Sequence, residues 1–217
     1  MDFDAKLLWE SLPDLFRGAK VTVTLTIVST LIGLVVGVIG GLCRVSRSRI
    51  ARGISFAYVL LFRGIPLLVT LLFLYYGLPA VGITLNSFSV AVMGLSITFG
   101  AFASEIVRAG IQSINVGQMR AARSLGMPYW LAMKEVVLPQ ALRRVLPPLT
   151  NEVLTLLKQT ALVSVIATAD LVRVGLEIMT WRANTFSPFV GVALIYLSLS
   201  LPLVGLVTFL ERKYRVT

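Results

Sequence analysis

Five polar side chains, Asn151, Glu152, Thr155, Lys158 and Gln159, interrupt a largely apolar stretch of the chain. At ~100° per residue they fall within an arc of about 120° on one helix face. Val153, Leu156, Leu157 and Ala161 take the opposite face. Ionisable groups within a membrane span are costly and turn towards protein or a cavity. A stripe with both signs of charge suits a small zwitterion, Lys158 meeting a carboxylate and Glu152 an ammonium group. The same two residues can instead serve a structural purpose, satisfying neighbouring helices. Arg63 is a further candidate, about nine residues and so ~14 Å into its own apolar run. Gly64 and Pro66 beside it suggest a broken helix whose freed carbonyls need partners. Arg63 can therefore bind a substrate carboxylate or satisfy the break, and the local Gly and Pro favour the second role. Glu105 and Arg108, three residues apart, read as a local pair or gate element.

Other chemistries find little support. The chain has no histidine, which removes His-based acid–base catalysis and His-ligated metal. Its single cysteine, Cys43, can build neither an internal disulfide nor a thiolate metal site. A Ser–Lys dyad would need Ser164 and Lys158, which project about 120° apart on one helix. Thr160 and Ser164 point away from the stripe and suit back-bonding to their own helix. No GxxxxGK[ST] phosphate loop occurs. Uphill work would draw on a partner or an ion gradient, and no cofactor is expected in this chain.

The elements that position these residues follow from composition. Hydrophobic residues make up 57% and charged residues 14% of 217, against about 25% charged in ordinary soluble domains. The expected fold is an all-α membrane protein, a single transmembrane domain over 1–217, with five transmembrane helices. The spans are read at 21–42, 54–78, 88–108, 141–168 and 187–210. Residues 1–20 lack a basic n-region, so no cleaved signal peptide is expected. Arg44, Arg47, Arg49 and Arg52 cluster in one connection. Arg108, Arg120, Arg123, Lys134, Arg143 and Arg144 surround another, and Arg212, Lys213 and Arg215 end the chain. The alternate connections hold only Lys6, Arg17, Lys20, Arg173 and Arg182. The positive-inside rule then places the N-terminus outside and the C-terminus in the cytoplasm. The net charge of +10 is matched to anionic lipid headgroups rather than nucleic acid.

The long basic connection, 115–139, is organised. Asn115 can cap a short helix, with Gln118 completing a capping-box-like pair. Met119, Ala122 and Leu125 then share a face, and Gly126 suits the position after the helix, where a positive φ is cheap. Pro128 suits the first turn of a second short helix, with Trp130, Met133 and Val137 on one face. Two such helices would lie along the cytoplasmic surface, either resting on the bilayer or offering a docking surface.

Ala121, Ala122, Gly126, Val136, Leu138 and Pro139 carry a spaced pattern that resembles the EAA loop of the membrane subunits of bacterial ATP-binding-cassette importers. The usual first-position glutamate is replaced by Arg120. Phe62–Leu68, Ser104–Gly110, Leu138–Ala141 and Asn151–Glu152 extend the similarity to the polar amino-acid uptake permeases, over roughly residues 15–210. The resemblance implies a type I importer transmembrane fold with short cytoplasmic coupling helices in a bacterial inner membrane. It also implies a second permease copy or homologue, two cytosolic ATPase subunits carrying ATP and Mg, and an extracytoplasmic solute-binding protein. Met119, Arg120, Ala121, Ala122, Leu125 and Gly126 would couple to the ATPase. Asn151, Glu152, Thr155, Lys158, Gln159 and Arg63 would meet an amino-acid substrate that is basic, acidic or neutral polar. A stand-alone carrier or channel for a small polar solute is the alternative, and would leave the loop without a purpose.

Overall fold

The Asp4 carboxylate opens the first helix by accepting the Lys6 and Leu7 amides at 2.9 and 3.0 Å, donors that a helix start otherwise leaves unpaired. The helix α1 (Ala5–Val45) runs 41 residues in the computed structural model, which describes residues 3–214. It extends well beyond the expected span at 21–42, so residues 5–20 ahead of that span are helical too. Arg215 of the basic tail lies outside the described residues.

One face of α1 carries Gly33, Gly37 and Gly41, all buried against α4 (Ser87–Gln112). A Cβ on Gly37 would lie 2.4 Å from Ala103 Cβ, and one on Gly33 2.7 Å from the Phe99 ring. At Gly41 it would meet Val107 at 2.6 Å. The two backbones therefore approach as only small residues permit. Around this contact Leu25, Leu71, Leu95, Phe99, Leu156 and Ile166 form the central core.

The segment expected to span at 54–78 is not one straight crossing. Helix α2 (Arg49–Gly64) ends where Ile65 turns extended before Pro66, as a residue preceding proline prefers. The chain resumes as α3 (Leu67–Leu72), then a π turn over Phe73–Gly77 and a 3-10 turn over Leu78–Val81. The two halves meet at 101°. The break beside Gly64 and Pro66 is the expected one; its angle is new.

Asn115 caps α5 (Val116–Ser124). The chain then turns at Gly126 into α6 (Tyr129–Ala132), a π turn over Met133–Val137 and α7 (Leu138–Gln159). These three run on as one continuous helical path, so the expected second surface helix is instead the start of α7. The π turn absorbs Pro139, which has no amide to give the Glu135 carbonyl. The earlier π turn stands in the same relation to Pro79. Beyond α7, Thr160–Ile166 tightens to a 3-10 turn ending at Ala167, φ 56°. The span expected at 141–168 is thus α-helical only as far as Gln159, and α7 is less apolar than α1, α4 and α9 (Phe186–Lys213), each long and apolar enough to cross a membrane.

The segment between 168 and 187, read as a plain connection, contains α8 (Leu171–Arg182). Asp170 caps it, accepting the Val172 and Arg173 amides at 3.1 and 3.0 Å. Leu171 packs with Leu15, Ala19, Val192 and Ile195, and its amide donates to Thr22 Oγ1 at 3.2 Å. Burial of Asp170 pushes its carboxyl up to about 6, against the opposing pull of the two amides and Arg173.

Two outcomes follow from these contacts. Gly37→Leu is expected to force α1 from α4, an overpacking of about 1–3 kcal/mol, and so lower the Tm in detergent. Gly205→Leu, with nothing within 4 Å of its Cβ, should leave the Tm near wild type. The raised Asp170 carboxyl makes folding bind a proton that the unfolded chain releases at lower pH. Its contribution to stability is therefore full at acid pH and lost as pH rises through about 6. Asp170→Asn, whose side-chain oxygen can still cap α8, should flatten that part of a melting-versus-pH profile.

Candidate functional site: a polar helix face joined to an exposed loop

The loop end of the molecule is built by α5, α6 and the start of α7. Asn115 Oδ1 accepts the Gly117 amide at 2.7 Å. Gln118 does not complete a capping box: its side chain faces Gln140 at 3.5 Å instead. At the other end of α5, Met127 N–H bonds the Ala122 carbonyl at 3.2 Å and Gly126 N–H the Arg123 carbonyl at 3.0 Å. With Gly126 at φ 83°, this is the double-bonded helix stop that glycine favours.

Ala122 is buried and Met119 packs against the cluster of Val107, Ile111, Val137, Ala141 and Val145. Leu125 does not join them. The turn at Gly126 leaves it 84% exposed, so the expected face of Met119, Ala122 and Leu125 loses its last member. Trp130 likewise stands 78% exposed while Val137 is buried and Met133 packs on the same cluster. Arg120 and Ala121 are exposed beside them.

The polar stripe lies further along α7. Leu156 and Leu157 turn into the core, which sends Asn151 and Lys158 to the surface and leaves Glu152, Thr155 and Gln159 half-buried. Thr155 Oγ1 donates to the Asn151 carbonyl at 3.1 Å. Among the described residues no ion pair joins Glu152 and Lys158; Lys158 is exposed and Glu152 half-buried. Arg63, at the end of α2, has the Phe102 ring 5.2 Å below its guanidinium and lies within electrostatic reach of Glu152 and Glu105. It donates to none of the carbonyls at the α2 break, which is the role the sequence favoured for it.

Glu105 and Arg108 do form the expected local pair, Arg108 Nε donating to Glu105 Oε2 at 2.9 Å with a second contact between Nη2 and Oε1. Sequence reasoning missed a third member: Arg44 of α1 approaches Glu105 Oε2 at 3.6 Å and covers the Phe56 ring at 5.0 Å. Helices α1, α2 and α4 are thus tied by charge and aromatic contact near the loop end. An open cleft of about 480 Å³ is lined by Arg44, Phe56, Arg63, Phe102 and Glu105, among others. Ser164 is buried and donates to the Ala161 carbonyl at 2.8 Å, as Thr160 does to Leu157 at 2.7 Å. Both therefore back-bond as expected, and Ser164 is not a partner for the exposed Lys158. No group of three or more His, Cys, Asp or Glu side chains suited to a metal occurs among the described residues.

Residues 29–216 match the family of binding-protein-dependent transport system inner membrane components. The chain is 37% identical to the arginine transport system permease protein ArtQ of Bacillus subtilis (strain 168), over 99% of its own length and 98% of that relative. It is 34% identical to the glutamine transport system permease protein GlnP of Escherichia coli (strain K12), with both chains covered in full. A solved structure of an amino acid ABC transporter with histidines superposes with a TM-score of 0.93 at 37% identity, covering 98% of this chain and 100% of that one. An inward-facing MetNI methionine ABC transporter shares the fold, with a TM-score of 0.75 at 24% identity over 98% of each chain.

Proposed function

The chain belongs to the family of binding-protein-dependent transport system inner membrane components, and from that premise we propose that it is the permease subunit of an ATP-binding-cassette importer for a polar amino acid. The full-length similarity to relatives named as arginine and glutamine permeases carries this reading. It is a transporter membrane subunit and not an enzyme; ATP and Mg would be held by a partner.

In this account two cytosolic ATPase subunits grip the α5 loop of this chain and of a second permease copy or homologue. An extracytoplasmic binding protein delivers the solute on the opposite side, where the N-terminus lies, and the C-terminus is cytoplasmic. Met119, Arg120, Ala121, Ala122, Leu125 and Gly126 transmit the ATPase movement. Asn151, Glu152, Thr155, Lys158 and Gln159 line the solute path, with Arg63 across from Glu152. The position of the stripe, opposite the core-facing Leu156 and Leu157 with Asn151 and Lys158 exposed, supports that placement, because an intramembrane polar face needs water, solute or another subunit beside it. Since α6, the π turn and α7 form one helical path, a push on the loop reaches the stripe along a single run of helix. Rocking of the two permeases would then open the path alternately to each side.

Purification of the tagged chain from its native membrane, with mass spectrometry of what co-elutes, tests the assembly. Recovery of an ATPase bearing a GxxxxGK[ST] loop is expected, and a chain that elutes alone yet carries solute contradicts the proposal. Gly126→Val strains the positive-φ turn by roughly 1–2 kcal/mol without a clash. It is expected to uncouple ATP hydrolysis from uptake while membrane insertion persists. Glu152→Gln and Lys158→Ala should each lower uptake by about tenfold, the scale of one charged hydrogen bond, with ATPase association unchanged.

A further inference from the structure

The loop surface has a charge pattern that names the chemistry of whatever sits on it. The Arg120 guanidinium has no hydrogen-bond or ion-pair partner among the described residues, and Arg123 uses its guanidinium on the Met127 carbonyl at 3.1 Å. Arg47 stacks on the Tyr129 ring at 5.0 Å, also without a carboxylate. The single acid of the loop, Glu135, is taken by Lys134 at 3.5 Å. The surface is left with unneutralised cations.

Its shape is equally particular. With Ala122 and Met119 turned inward, the outward face of α5 is Arg120 among the small Gly117, Ala121 and Ser124, with Val116 at the helix start its one large apolar side chain. Side chains this small let another protein's backbone come close to the helix. A helix lying on lipid would instead carry large apolar side chains on its free face. The large apolar groups are at the edge of the loop, where Leu125 and Trp130 protrude as anchors of the kind that fill pockets at protein interfaces.

Resting on the importer reading above, we propose that the ATPase groove that receives this loop has an apolar floor for Leu125 and Trp130 and an acidic rim, and that Arg120 meets the acid. Where the motif this loop resembles carries glutamate, the chain carries a cation. The matched ATPase must then hold the opposite charge from an ATPase built for glutamate. Arg120 thereby sets which ATPase the permease accepts, since a like-charge juxtaposition disfavours the wrong partner.

The test uses the complex as purified, with its co-eluting ATPase, washed in rising sodium chloride. Retention of the ATPase is expected to fall with salt. Arg120→Glu should lose it about tenfold more readily, Arg120→Gln to an intermediate degree and Arg120→Lys little. A photo-crosslinking residue at position 120 should mark the ATPase next to an Asp or Glu, and reversing that acid to Lys should restore retention to the Arg120→Glu complex. Equal, salt-insensitive retention by wild type and Arg120→Glu overturns the acidic rim while leaving the importer reading intact. If Arg120→Glu changes only binding to vesicles containing phosphatidylglycerol, the occupant is lipid and the proposal fails. If wild type retains no ATPase, the importer reading falls first and this proposal with it.

Discussion

The distance between α1 and α4 governs the rest of the structure. Gly33, Gly37 and Gly41 repeat every fourth residue, so they stack on one face of α1, and each meets an α4 atom closer than a side chain would allow. In a bilayer, where lipid competes as well as leucine for apolar surface, such close packing is a main source of helix association. It also fixes the neighbours. Gly110, further along α4, receives Val145 of α7, so the helix carrying the polar stripe is positioned by the same α4 that packs on α1. Arg44 at the end of α1 reaches Glu105 of α4 only because the two helices lie this close.

From that frame the loop and the stripe become parts of one body. The helical path from Tyr129 to Gln159 is continuous through a π turn and through Pro147 and Pro148 inside α7. Met119 of α5 leans on the base of that path through the Val107–Val145 cluster, and Ala122 beside it is buried. In the proposed mechanism, displacement of the loop moves α7, and with it Glu152, Thr155, Lys158 and Gln159. A flexible linker at Gly126 would have isolated the loop; instead the two hydrogen bonds of the helix stop make that turn a fixed corner.

Much of this was legible in the sequence because it depends on spacing. Polar residues three and four apart gave the stripe, Gly64 and Pro66 gave the break, and Asn115 and Gly126 gave the ends of α5. What depends on three-dimensional direction was not legible. The 101° bend at Pro66 is set by what α3 packs against, and the exposure of Leu125 by how the Gly126 turn leaves the helix. Some misses had signals. The four-residue glycine repeat is present in the sequence, as are the capping Asp170 and the apolar Leu171, Val174 and Ile178, one face of α8 within the segment read as a connection. Arg44 was read only as a topogenic charge, and no local pattern links it to an acid on a distant helix.

In the proposed mechanism an ATPase gripping the loop drives solute past the stripe. The most direct measurement is uptake of labelled amino acids by liposomes holding the purified complex, with ATP and Mg on the loop side and the solute-binding protein on the other. The account predicts uptake that requires both and follows ATP hydrolysis. Uptake that proceeds without ATP and follows an imposed ion gradient would contradict it.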